Sequence, residues 1–296
     1  MKKLVLAVVM LVSSHVAMAK DTLSIIWPFG PVAATLPVRS MIDNHNRTGQ
    51  SPTLILEFKQ GAGGVVATQH VLSSSEPIIY YASAGFFLYN AFAEKQAYDV
   101  NKFMTLKHLC DLPVTVASKK FPSMRAIPSD RPVTVATTGT GNGFHLVFKA
   151  LQRQYPNMIE IAYKSSADGI KDLLGDHVDM IIATPGDTFP LEDNKLAKNI
   201  GVTGSSRVRS IPTLTESLIP NTQRLTIGYY FFLDQRFADR AESYRKILDT
   251  SVDNNTKEIM AKNHCVPATT SAAQLPGFIQ NAQTFWNQQA AAVRTK

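Results

Sequence analysis

A chain of 296 residues, 45% of them hydrophobic, is long enough to bury the cores of two ordinary domains. The formal charge of +7 is scattered, with no basic run interleaved with aromatics, which excludes nucleic-acid binding. The two cysteines, Cys110 and Cys265, share no Cys/His spacing of the metal-binding kind, so neither a metal nor another cofactor is expected.

The first 19 residues read as a secretory signal. Lys2 and Lys3 form a basic start, residues 4–12 an apolar stretch too short for a membrane span, and Ala17-Met18-Ala19 a small-x-small cleavage site. Cleavage after Ala19 is expected, leaving an exported, periplasmic chain. That compartment permits a disulfide, but the expectation is two buried free thiols, because a fold of this size has no need of a staple.

The mature chain opens β-α-β-α-β. Residues 23–27 form a strand ended by Pro28 and Pro31, and Thr35 is placed to cap a helix running to about Asn46. A second strand, 54–58, runs into Gly61-Ala62-Gly63-Gly64 and a helix over 65–72. A third strand covers 78–81. Residues 85–98 read as loop and short helix, and 105–118 as two strand-like runs broken at Asp111-Leu112-Pro113.

A second β-α series begins at the most informative stretch of the chain. The β-branched run 133–137 enters a turn in which Gly139, Gly141 and Gly143 alternate with Thr138, Thr140 and Asn142, and a helix follows over 144–155. Strand, glycine-rich turn and helix start together aim backbone N–H groups at an anion. A plain strand-to-helix turn needing φ > 0 is the alternative. Further strands are expected at 159–163, 179–183 and 200–203, and helices at 165–175 and 191–198. Pro212 and Pro220 bracket a loop with a short helix. A β-prone run at 225–232 returns the chain toward its first half, and residues 236–250, 255–262 and 272–294 have helical periodicity.

Two parallel α/β series joined by two crossings predict a two-lobed clamshell with two mixed sheets. One lobe comprises residues 20–112 and 226–296, the other 113–225. Ligands of open α/β sheets sit at the carboxyl ends of strands, and an interlobe cleft is a favoured pocket.

Individual side chains carry two readings each. His145 on the first helical turn is placed either to donate to a carboxylate or to tie the loop to a neighbour. Lys164 at a strand end is either a ligand's charge partner or a solvated lysine. Ser165 and Ser166 suit helix capping and ligand binding at once. Asp187, after Pro185-Gly186, fits turn chemistry better than ligand contact. Phe86 and Phe87 read as core. Gly63 and Gly64 are either a second anion site or helix–sheet packing. No Gly-x-Ser-x-Gly elbow, acidic pair or Cys/His nucleophile motif supports an exported hydrolase.

Several motifs agree with one family. WPFGPVAAT (27–35), FKQGAGGVVATQHV (58–71), AYDVNKF (97–103), TTGTGNGFHL (137–146) and AYKSSADGIKDLLGDHVDM (162–180) stand in the order and spacing of the extracytoplasmic substrate-binding proteins of tripartite tricarboxylate transporters, the Bug family, which the chain resembles along its mature length. The resemblance implies a monomeric, non-enzymatic Venus-flytrap protein. It would bind a small organic carboxylate for membrane permease subunits or, with an indistinguishable sequence, for a membrane sensor. Carried over residue by residue, it implies ligand contacts from Phe29, Gly30, Pro31 and Thr35. From the other lobe it implies Thr138, Gly139, Thr140, Gly141, Asn142, Gly143 and His145, completed by Lys164, Ser165, Ser166, Thr184 and Asp187. The family's Gly-Gly in the first loop is Val32-Ala33 here, and a frequent Asp is Leu36. The expected ligand is therefore a small mono- or dicarboxylate without an amine, held mainly from the second lobe.

Overall fold

The computed structural model describes residues 21–83, 85–87, 97–139, 141–271, 274–275 and 277–294. The signal sequence, Thr140, and parts of the expected elements at 85–98 and 272–294 lie outside the described residues.

Two mixed sheets organise the chain. The first takes β1 (Thr22–Trp27), β2 (Thr53–Phe58), β3 (Ile79–Ser83), β4 (Phe103–Leu112), β10 (Ile227–Asp234) and β11 (Val266–Pro267), in the order β11-β4-β10-β3-β1-β2. The second takes β5 (Thr115–Ser118), β6 (Val133–Thr137), β7 (Met158–Ala162), β8 (Met180–Ala183) and β9 (Lys198–Val202), in the order β7-β6-β8-β5-β9. In each, the β-α-β portion is parallel, β1 beside β2 and β3, β6 beside β7 and β8. Antiparallel strands complete each sheet: β10 against β3 and β4, and β5 against β8 and β9. The chain passes from the first sheet to the second between β4 and β5 and returns between β9 and β10.

Most of the helices follow from amphipathic periodicity. They are α1 (Leu36–Arg47), α2 (Val65–Ser73), α3 (Gly143–Gln154), α4 (Ser166–Leu174), α5 (Pro185–Asp193), α6 (Ala241–Thr250), α7 (Asn254–Lys262) and α8 (Phe278–Arg294). In α3, Leu146, Val147, Phe148, Ala150 and Leu151 are buried, while Asn142 caps its start. Every residue of β10 is buried. Its Phe231 packs on Tyr81 at 4.9 Å between ring centroids, and Phe232 on Phe86 at 4.7 Å. Each such buried ring contributes roughly 1.5–3 kcal/mol. One hydrophobic cluster runs from this sheet to Val133 and Val135 of the second and Phe148 of α3, and a smaller one, with Ala117, Ala136, Leu173 and Ile181, covers the second sheet's other face.

Four expectations need correction. Cys110 and Cys265 are not free thiols; they form a disulfide with Cα atoms 5.4 Å apart. The reason is topological: β11 pairs with β4 antiparallel, with Val266 opposite Asp111 and Pro267 opposite Cys110, a neighbourhood invisible across 155 residues of sequence. Residues 184–187, read as a turn before a helix at 191–198, are instead the cap and first turn of α5, because Pro185 suits the first helical position. Residues 204–225 hold turns and isolated bridges and no helix. Thr35 precedes α1 without capping it through its side chain; its hydroxyl donates to Val32 O at 2.8 Å.

Candidate functional site

The carboxyl ends of four parallel strands, two from each sheet, converge on a cavity of about 430 Å³. Phe29 follows β1, Gln60 and residues 61–63 follow β2, Thr138 and Gly139 follow β6, and Tyr163 and Lys164 follow β7. The turn after β2 is left-handed at three successive residues: Ala62 at φ +45°, Gly63 at +62° and Gly64 at +101°. Two glycines in three make that affordable and leave the wall without side-chain bulk. Gly64, at the cap position of α2, has no side chain with which to cap it.

The turn after β6 is finished differently. Asn142 is buried, and its Oδ1 accepts from Phe144 N at 3.0 Å and His145 N at 3.1 Å. Its Nδ2 donates to Thr138 O and to Thr138 Oγ1, each at 3.1 Å. The side chain therefore fills the anion position at the start of α3 and engages the Thr138 hydroxyl. A Cβ at Gly85, from the first sheet's side, would meet that of Asn142 at 2.9 Å, and one at Gly143 would meet Ile227 at 3.0 Å. Gly141 is buried with φ +81°.

His145 faces Glu160: Nδ1 lies 2.8 Å from Oε2, and Glu160 Oε1 accepts from Thr137 Oγ1 at 2.6 Å. Burial by itself would raise the Glu160 pKa; the His145 hydrogen bond and charge, with Thr137 and Lys149, outweigh it and hold the carboxylate low.

Outside the cavity lining, Asp187 Oδ2 accepts from Thr184 Oγ1 at 2.8 Å and Oδ1 from Ala33 N at 3.3 Å. Ser166 adds a side-chain hydrogen bond. Burial is the largest influence and pushes the Asp187 pKa up, against the pull of these donors. Asp187 is thus a strut between the second sheet and the first loop. A Cβ at Gly186 would meet Ala33 at 2.8 Å, which shows how closely the two approach.

Of the expected site residues, the structure gathers Phe29, Thr138, Gly139 and Lys164 on the cavity wall. Gly30 lies beside them: a Cβ there would sit 3.4 Å from that of Ser165, and Gly30 O accepts from Trp27 Nε1 at 3.2 Å. Ser165 caps α4, accepting from Asp168 N at 3.2 Å and donating to its carboxylate at 2.8 Å. Pro31 is exposed and Thr35 buried, and neither lines the cavity. Gly141, Asn142, Gly143, His145, Ser166, Thr184 and Asp187 are not part of that wall, and Asn142, His145, Thr184 and Asp187 brace its loops through the hydrogen bonds above. Thr140 lies outside the described residues. Phe86 and Phe87 are core.

Sequence reading missed Gln60, Tyr163 and Glu160. Tyr163 was findable as the residue before Lys164 at the same strand end. Its hydroxyl donates to Asp172 Oδ2 at 2.6 Å, and burial, with that hydrogen bond and charge, pushes its pKa up to about 12. Glu160 carried no local signal, since its role exists only where β7 lies beside the start of α3.

Comparison with known proteins agrees with this architecture. Residues 38–289 match the model of the tripartite tricarboxylate transporter family receptor. A protein of Cupriavidus necator described as a UPF0065 protein in the gbd 5′ region is 25% identical over 261 residues, 82% of this chain and 78% of that one. The periplasmic binding protein BugD superposes with a TM-score of 0.82 at 21% identity, over 93% of this chain and 98% of its own. MatC of Rhodopseudomonas palustris, solved with bound malate, gives 0.81 at 17% identity over 91% and 99%. A second protein of R. palustris, solved with adipate, gives 0.79 at 16% over 94% and 98%. At these identities the structures establish the periplasmic-binding-protein fold.

Proposed function

The chain belongs to the tripartite tricarboxylate transporter receptor family, and from that premise we propose that it is an exported solute-binding protein that captures a small organic carboxylate and presents it to membrane permease subunits. The observation that carries the reading is the cavity itself. It lies at the carboxyl ends of parallel strands of both sheets, with Lys164 on one wall and a left-handed glycine turn on another. A cation and closely approachable backbone are what a carboxylate needs. The binding of malate and adipate by structural neighbours points the same way.

The lobes in this reading are residues 20–112 with 226–296, and 113–225, hinged where the chain crosses between sheets. Ligand touching both lobes stabilises the closed arrangement by its differential affinity. No catalytic step is assigned, and the ligand is bound and released unchanged. Export places the mature start at Lys20, which the intact mass of protein from the periplasmic fraction checks.

The decisive experiment is mass spectrometry of the small molecules released on denaturing freshly purified protein, followed by calorimetry with what is found. The expected result is an organic acid that binds saturably and compacts the particle in small-angle scattering. A tight ligand with no carboxyl group overturns the reading, as does turnover of the bound molecule.

A further inference from the structure

The lining of the cavity discriminates among acids, in a way that rests on the capture reading above. Among its described residues, Lys164 is the single cation and no carboxylate is present. The nearby acids are spent elsewhere: Asp187 on Ala33 and Thr184, Glu160 on Thr137 and His145, Asp172 on the Tyr163 hydroxyl. A ligand ammonium would enter with no anionic partner, and a second ligand carboxylate would find no second lysine or arginine.

Two aromatic residues line the same space from different sheets, Phe29 after β1 and Tyr163 after β7. Both residues are only half-buried. Each ring is oriented by the protein. Phe29 meets Trp27 edge-on at 5.5 Å between centroids, and Tyr163 is fixed by the 2.6 Å hydrogen bond to Asp172. Tyr163 also packs on α4, where a Cβ at Gly169 would lie 3.5 Å from its ring. Rings oriented beforehand lose little freedom on binding, so their apolar faces favour a rigid, flat partner over a flexible chain.

We propose that the ligand is a monocarboxylate with a flat, unsaturated ring as its body, the ring lying against Phe29 and Tyr163 and the carboxylate at Lys164. Residues 61–63, short of side-chain bulk, admit the ring edge close to the backbone.

The test is titration calorimetry of the mature chain with benzoate, malate and adipate, on the wild type and on Tyr163→Leu. The expected result is benzoate binding about tenfold tighter than either aliphatic diacid, with Tyr163→Leu removing most of that advantage. If Tyr163→Leu does not fold, Phe29→Leu carries the same test, and the wild-type ranking stands on its own. Malate or adipate binding as tightly as benzoate overturns the ring proposal and leaves carboxylate capture intact. If none of the three binds and the ligand released from purified protein has no carboxyl group, the capture reading itself falls.

Discussion

The turns at residues 60–64 and 138–143 both leave a parallel strand and enter a helix, yet their backbones are finished in different ways. In the second, Asn142 turns inward, caps α3 and engages both polar atoms of Thr138 that it can reach. In the first, no side chain caps α2, and four consecutive residues line the cavity. The turn richer in hydroxyls and amides is thus the more self-sufficient one, and among the described residues the plainer turn presents more of its length to the cleft. A glycine-rich motif reports that a backbone can approach a ligand; whether it does depends on whether a nearby polar side chain has already taken the place.

The largest test of that contrast is Asn142→Ala. Two N–H groups at the start of α3 lose their acceptor and Thr138 loses its donor, in a buried setting, so stability should fall by about 2 kcal/mol in urea titration. If stability holds and ligand affinity alone collapses, Asn142 serves the ligand and the contrast fails. Next is Lys164→Met, expected to weaken an anionic ligand by about tenfold with little change in melting temperature, and to flatten the salt dependence of binding. Gly63→Ala follows. At φ +62° a Cβ costs about 1 kcal/mol, and because this turn lines the cleft, affinity should drop with it. Gly204→Ala, at φ +103° with open space around the new methyl and outside the cavity lining, imposes backbone strain without touching the wall, so stability should fall while affinity holds.

The smallest expected effect concerns pH. Glu160 titrates below its unfolded value, so its contribution to stability is complete above that value, about 4.3, and is lost as pH falls through the folded one. In Glu160→Gln the acid limb of the melting-temperature profile should be shallower than in the wild type. An unchanged limb would show that the His145–Glu160 pair does not brace the second turn.

Much of this was legible in residues whose signal is local. The β-branched run of β6, the alternation of glycines after it and the amphipathic spacing of α3 are written in adjacent letters, as is Ser165 at the start of α4. Lys164 was found because it ends a strand. What escaped depends on contacts between distant elements. Asp187 read as turn chemistry because Pro185-Gly186 precedes it, and nothing local announces that Ala33, 154 residues away, donates to it. Glu160 was silent for the same reason. Thr35 looked like a cap, but its hydroxyl turns back to Val32 because the chain enters α1 already helical there.

The Cys110–Cys265 bridge has a topological consequence. All five strands of the second sheet lie between those two positions, so that sheet is a bay of a covalent ring whose neck is β4 and β11. A protease cut in any exposed stretch of the bay, the turns at 204–225 among them, opens the ring without dividing the molecule. The nicked protein would migrate as one species on a non-reducing gel and as two fragments after reduction. Limited proteolysis read in those two ways therefore maps which crossings are accessible while the cut molecule is still whole enough to be assayed for binding.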